Sequence, residues 1–419
     1  MSSVSPKKPE IMAPVGDSVC LDAAIKAGAD AVYFGIEGLN MRAGAKNFTV
    51  PQMRALCKKC AAAGVRKYLT LNTIYYQGEM PKLRRAVMAA KRAGVDAIIA
   101  WDFAALQCAR EAGVEAYLST QASAANAEAI ALYFKNFGIR RFVLARECQL
   151  ADIPKIRKAL AKILGAAAKE ISFEVFAHGA MCVSISGRCF MSQFQCGKSA
   201  NRGECMQPCR REYFISDGRE GAEGFVVGKG YVMSPKDLCT LPFIEKLIEA
   251  GVNSLKIEGR NRSADYVFET AGAYRKAVDF YFENRKKPNF KAEFEALKSE
   301  LALGLKTVFN RGFSSGFYMG KPIADWTSEG NRAEKKKTIL GHVTNYFSKL
   351  GVAQISIDNG TLKEGQTVQA EGETTGFLRF EPQNMRLGGE VVKSAKKGDE
   401  ISVKVPQKLR KNDRLYIFK

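Results

Sequence analysis

A short apolar run follows a glycine six times in this chain: AGADAVYFG at Gly28, AGVRKYLTL at Gly64, AGVDAIIAW at Gly94, AGVEAYLST at Gly113, FGIRRFVLA at Gly138 and AGVNSLKIEG at Gly251. Amphipathic stretches such as PQMRALCKKCAAAG and EMPKLRRAVMAAKRAG stand before these glycines. Glycine takes the left-handed conformation at the end of a helix at little cost, and about four to six apolar residues in a row describe a buried parallel strand. Each copy therefore predicts a helix, a tight turn and a strand. Adding IMAPVG near the start and ISFEVFAHG at Ile171–Gly179 makes eight strands. Their order predicts an α/β fold, a TIM-like (β/α)8 barrel over residues 8–285, with an open doubly wound sheet as the competing arrangement.

The pattern changes in the last third. KAEFEALKSELALGLKTVFN has a helical period, NRGFSSGFYMG reads as a loop, and NRAEKKK as a charged linker, so residues 286–337 form a helix and linker. From 338 to 419, short alternating runs such as GVAQISID and DRLYIF are separated by turn signals. They predict a small antiparallel β-barrel, a module that binds a partner such as RNA or protein, or serves as structure alone.

Composition adds two bounds. No apolar run approaches the roughly 20 residues of a membrane span, and the N-terminus MSSVSPKKPEIM lacks an apolar leader, so the expected location is the cytoplasm, with no membrane partner. The formal charge of +21 favours a polyanionic partner, although the excess is spread along the chain without one dominant tract.

In a barrel of this kind chemistry sits at the C-terminal ends of the strands. That rule collects Asn72 and Thr73, Asp102, Thr120 and Gln121, Arg146 and Glu147, Glu174 and His178, and Lys256, Glu258 and Arg260 around one mouth. Strand alternation puts Lys256 and Glu258 on one face, where the carboxylate neutralises the amine. Arg42, Arg146, Lys256 and Arg260 are candidates for gripping a small dicarboxylate, because guanidinium forks match carboxylates. His178 is a candidate for binding substrate or moving a proton.

The eleven cysteines are distributed unevenly: Cys182, Cys189, Cys196, Cys205, Cys209 and Cys239 crowd an insertion at about 180–240 that follows the seventh strand and must cover the mouth. A site for zinc would use two close pairs, and only Cys205 with Cys209 comes near. A radical-type CxxxCxxC motif fails because Glu212 stands where its third cysteine belongs. An iron–sulfur cluster tolerates separated thiolates, so a cluster, zinc and unligated thiols remain the alternatives. The familiar zinc-protease arrangement is missing: there are two histidines, His178 and His342, and HExxH does not occur.

EVFAHGAMCVSISGRCFMS, together with RGECMQPCRREY, MSPKDLC, AGVNSLKIEGR and FNRGFSSGF, resembles the collagenase-like peptidase family U32 over nearly the whole chain. Several members are similar to one another as oxygen-independent hydroxylases that carry a [4Fe-4S] cluster and take their oxygen atom from prephenate. Their substrates are tRNA wobble uridine, a ribosomal RNA cytidine or the ubiquinone ring. The resemblance implies Cys182, Cys189, Cys205 and Cys239 as cluster ligands, with Cys209 as the substitute that some relatives use. The barrel-mouth positions make His178, Glu174, Lys256 and Glu258 the candidate catalytic groups, and Arg42, Asn72, Gln121, Arg146 and Arg260 the candidate substrate-binding groups. Length and the appended β-barrel look most like the tRNA-hydroxylating branch, which makes 5-hydroxyuridine, although Met206, Gln207 and Pro208 depart from its pattern. Hydroxylation of ribosomal RNA or quinone, and the peptidase activity in the family's name, are the alternatives.

Overall fold

The computed structural model describes residues 6–419 apart from 217, 220–223, 228–232, 323–324 and 328–329. The first five residues of the expected leaderless N-terminus and parts of the expected 180–240 insertion therefore lie outside the described residues. Eight strands close a parallel barrel: β1 (Glu10–Pro14), β2 (Ala31–Gly35), β3 (Arg66–Thr70), β4 (Ala97–Ala100), β5 (Ala116–Leu118), β6 (Arg141–Val143), β7 (Ser172–Gly179) and β11 (Ser254–Ile257). β11 pairs with both β1 and β7, which closes the ring.

Helices α1 (Ser18–Lys26), α2 (Val50–Ala62), α3 (Met80–Ala93), α4 (Phe103–Ala112), α5 (Ala127–Phe137) and α6 (Asp152–Leu164) cross between successive strands. The repeat glycines do what the pattern predicts: Gly94, Gly113 and Gly138 stand in the left-handed region as the caps of α3, α4 and α5. Asp17, Thr49, Asp102 and Asn126 cap helix starts with side-chain oxygens. Asp102, expected at the mouth, is held there as a cap, accepting from the Ala104 amide at 2.8 Å.

Both faces of the strands are apolar, yet the period of two survives. Ile11, Val32, Phe34, Ile98 and Ala100 pack outward against the helices, while Met12, Ala31, Tyr33, Tyr68, Ala97, Ile99 and Tyr117 fill the barrel. The alternation breaks once, near the end of β7. There the register against β11 slips, so that Lys256 pairs with Phe176 but Ile257 with His178. One extra residue turns the end of the strand over.

The insertion holds a hairpin, β8 (Tyr213–Ile215) with β9 (Phe225–Val227), the short helix α7 (Met191–Cys196) and β10 (Asp237–Cys239), which runs antiparallel to the end of β7. After α8 (Ile244–Glu249) and β11 come α9 (Ala264–Asn284) and α10 (Phe290–Lys306), and then β12 (Phe313–Ser314) beside β10. From Lys337 onward the chain forms an eight-stranded antiparallel sheet with its own apolar core, including Leu340, Ile355, Val403 and Ile417. This module docks on α1. Phe377 joins the barrel's core, and the Asp22 carboxylate accepts from its amide at 2.9 Å.

Candidate functional site

A cavity of about 380 Å³ opens at the C-terminal ends of the barrel strands. Barrel side chains Tyr33, Thr70, Ile99, Phe176 and Lys256 form its floor, and the insertion covers it. Of the expected binding residues, Arg42, Asn72, Gln121, Arg146 and Arg260 all line it, with Lys256 and Glu258. Two glycines make the cover possible. Gly203 of RGEC has φ +88°, and a Cβ there would collide with the Asn40 carbonyl and the Ala43 amide; Gly179, at φ +105°, passes equally close to the Glu258 carbonyl. Thr73 fastens the insertion from below, donating to the Asn201 carbonyl at 3.1 Å.

Four thiols share this lining: Cys182, Cys189, Cys205 and Cys209. None of the eleven cysteines is in a disulfide. Burial pushes the Cys209 thiol up, and the nearby Cys182, Cys205 and Cys189 sulfurs push it the same way, against the pull of Arg210. Cys239, expected with them, is not part of this lining. As part of β10 it is paired with His178 and buried, and its neighbour is the Tyr274 hydroxyl, 3.9 Å from the sulfur. Burial raises its thiol to about 11. Cys209 sits on a short helical turn, Pro208–Arg210, that lines the cavity. Cys196 is absent from the lining and partly exposed. Among the described residues no three His, Cys, Asp or Glu side chains converge to hold a single metal ion.

His178 also departs from expectation. It is 2% exposed, lies outside the cavity lining, and packs among the rings of Tyr266, Tyr274 and Phe313. The slip at Ile257 sends its side chain to the helix-facing side of β7. Burial lowers its pKa to about 3, so the ring is neutral. Glu174 is corrected too. As the third residue of β7 it sits level with Val143 and Ser254, below the cavity and fully buried. There it accepts from the Lys256 amine at 2.9 Å and faces Arg141 at 3.7 Å, and Arg141 also binds Glu10 at 2.6 Å.

Glu258 does not neutralise Lys256 as alternation suggested, because β11 ends at Ile257 and Glu258 lies beyond it. Its partner is Arg42, at 2.8 Å. Burial works to raise its pKa, but Arg42 above all, then Arg146 and Arg260, hold it down at about 2. Glu258 in turn raises Arg42 further. Arg260 is different. Its guanidinium donates to Thr70 at 2.7 Å, Asn40 at 2.6 Å and Asn47 at 3.0 Å, all neutral oxygens, and burial lowers its pKa to about 10. Arg146 lies 3.8 Å over the Phe176 ring and donates to the Ala180 carbonyl at 2.7 Å. The cavity thus combines thiols with two arginines, Arg146 and Arg260, whose hydrogen-bond partners among the described residues are neutral.

Sequence reasoning passed over Arg210 and Arg311, which also line the cavity. Arg210 donates to Met181 and Ser234 and so ties the two ends of the insertion together; Arg311 pairs with Asp237 at 3.3 Å. The doubled arginine of PCRREY and the lone arginine of NRGF were the available signals.

A parallel barrel whose mouth is roofed by a cysteine-bearing insertion is matched by the profile of Peptidase family U32 over residues 16–328, and the chain belongs to that family. A protein of Porphyromonas gingivalis named "Collagenase" is 41% identical over 98% of this chain and 97% of its own length. The "tRNA hydroxylation protein P1" of Bacillus subtilis is 34% identical over 87% of this chain and 84% of its own. The "23S rRNA 5-hydroxycytidine C2501 synthase" of Escherichia coli is 34% identical over 68% of this chain and 41% of its own. Relatives of this chain are thus RNA-hydroxylating enzymes as well as proteins with a collagenase name. No helix among the described residues is long and apolar enough to cross a membrane.

Proposed function

We propose that this chain hydroxylates RNA without dioxygen, making 5-hydroxyuridine at the tRNA wobble position with prephenate as oxygen donor. The observation that carries this reading is the shared lining of one cavity by four thiols and by Arg42, Arg146, Lys256 and Arg260. The donor set suits a [4Fe-4S] cluster, which takes one thiolate on each iron: four cysteines without disulfides line one cavity. Cys182, Cys189, Cys205 and Cys209 would hold it. Such a cluster supplies one-electron chemistry when bound.

The protein's own groups bind and orient. Among the described residues Arg146 and Arg260 have no direct carboxylate partner, which suits them to the two carboxylates of prephenate, while Lys256 stays on Glu174 and Arg42 on Glu258. Glu258, ionised and fixed by Arg42, sets the orientation of the opposite wall. A wobble base is unpaired in the free anticodon loop, so presenting it to the mouth costs little stacking. The +21 charge supplies long-range attraction to the phosphate backbone.

The peptidase reading rests on the names of the family and of several relatives. Its one sequence candidate, Cys182 with His178, is not favoured: His178 faces the aromatic layer, and His342 pairs with Asp358 at 2.7 Å in the C-terminal sheet. The test compares tRNA nucleosides by mass spectrometry from wild-type cells, a deletion, and the deletion complemented with Cys209→Ala, all grown without air. We expect 5-hydroxyuridine-type nucleosides in the wild type alone. Unchanged tRNA with loss of a ribosomal hydroxycytidine would transfer the activity to ribosomal RNA; unchanged RNA with lost gelatin cleavage would restore the peptidase.

A further inference from the structure

Large apolar side chains exposed on an enzyme surface call for a partner. On this molecule they gather on the insertion beside the mouth. Phe194 is 85% exposed and Phe190 63%, and their rings lie 6.2 Å apart on α7 and at its start. Phe190 directly follows Cys189, which lines the cavity, so the ring pair stands at its rim. The neighbouring rim, after β4, carries Phe103, 61% exposed and stacked on Tyr133 and Phe137. Between the two lies Arg188, stacked 4.8 Å over the Trp101 ring and donating to the Gln121 carbonyl.

The charge around these rings names the occupant. From Cys182 to Arg211 the insertion has five cations, Arg188, Lys198, Arg202, Arg210 and Arg211, against one acid, Glu204; Lys198 meets that acid at 3.7 Å and Arg202 meets Glu79, so the excess near the rings comes chiefly from Arg188 and Arg211. An apolar protein interface excludes charge at its centre, whereas rings interleaved with cations are the composition that binds unpaired nucleic acid: every base has a face to stack, and every phosphate a cation to meet.

We infer that Phe190 and Phe194, with Phe103 across the rim, form a stacking platform for the unpaired bases that flank the base entering the mouth. This inference rests on the RNA reading above and adds where and how the loop is held. The platform recognises single-stranded loops and not duplex, because paired bases keep their faces buried.

The test uses the full chain, two fluorescent RNAs, and anisotropy titrations at several salt concentrations. One RNA is a hairpin with an unpaired loop; the other is the same stem fully paired. Phe190→Ala/Phe194→Ala should bind the hairpin roughly tenfold more weakly than wild type, with the duplex changed by less than about twofold. The salt slope should be unaltered, since no cation is removed. Phe190→Tyr/Phe194→Tyr should restore hairpin binding, which separates stacking from a folding defect. Equal hairpin affinity in wild type and the double alanine variant would overturn the platform while leaving the RNA reading standing. A wild-type protein that binds gelatin and neither RNA would overturn both.

Discussion

Two clusters of charge sit one above the other in the barrel, and they differ in how their charges are answered. Below, Glu10, Arg141, Glu174 and Lys256 form a closed chain of opposite charges, all but sealed from solvent. Above, among the described residues, Arg146 and Arg260 meet neutral groups and no carboxylate directly, and the thiols around them form no disulfide. A buried ion pair is costly to form and more costly to break, so the lower cluster belongs to folding. The upper one is where the proposed function places the carboxylate donor. Lys256 belongs to both, with its amine on Glu174 and its side chain in the cavity wall.

The sharpest way to break the comparison is at the cysteines. Cys209→Ala should abolish iron retention in protein purified without air, and so should Cys182→Ala, Cys189→Ala and Cys205→Ala. Cys239→Ala, Cys57→Ala and Cys196→Ala should keep it, as read by iron and sulfide analysis. Iron lost from Cys239→Ala and kept by Cys209→Ala would return the fourth ligand to β10.

Next in size is the contrast between the layers. Glu174→Ala strands two buried cations and should lower stability by about 3–5 kcal/mol in denaturant unfolding. Arg146→Gln, which gives up a ring contact and one hydrogen bond to a carbonyl, should cost about 1 kcal/mol while weakening the binding of a dicarboxylate. Equal losses would mean that the upper cations are structural as well.

A pH-dependent loss of stability, absent at neutral pH, concerns His178, in neither cluster. Its folded pKa of about 3 lies below the roughly 6.5 of an unfolded histidine, so the unfolded chain binds the proton first. Its contribution is therefore complete above pH 6.5 and declines as the pH falls from there toward 3. His178→Phe should remove that part of the slope, up to about 1.4 kcal/mol per pH unit, from stability measured across the window. An unchanged slope would show that His178 is already protonated in the fold.

The (β/α)8 order, the helix caps and the glycine turns were legible in the sequence because each is a local choice, settled by residues within a few positions of one another. The gathering of Asn72, Gln121, Arg146 and Arg260 at one mouth was legible as well, since barrel geometry carries the ends of the strands to the same place. Partner choice was not. Glu258 finds Arg42 across 216 positions, and no periodicity speaks to that separation. Cys209 and Cys239 look alike as sequence, and only the pairing of β10 with β7 turns one thiol to Tyr274 while the loop turns the other to the cavity. The slip opposite Ile257 decides His178 in the same manner, because one residue of register exchanges the two faces of a strand. Local propensity determined the elements; the direction of a side chain at a loop or a bulge was left to the packing of segments far apart in the chain.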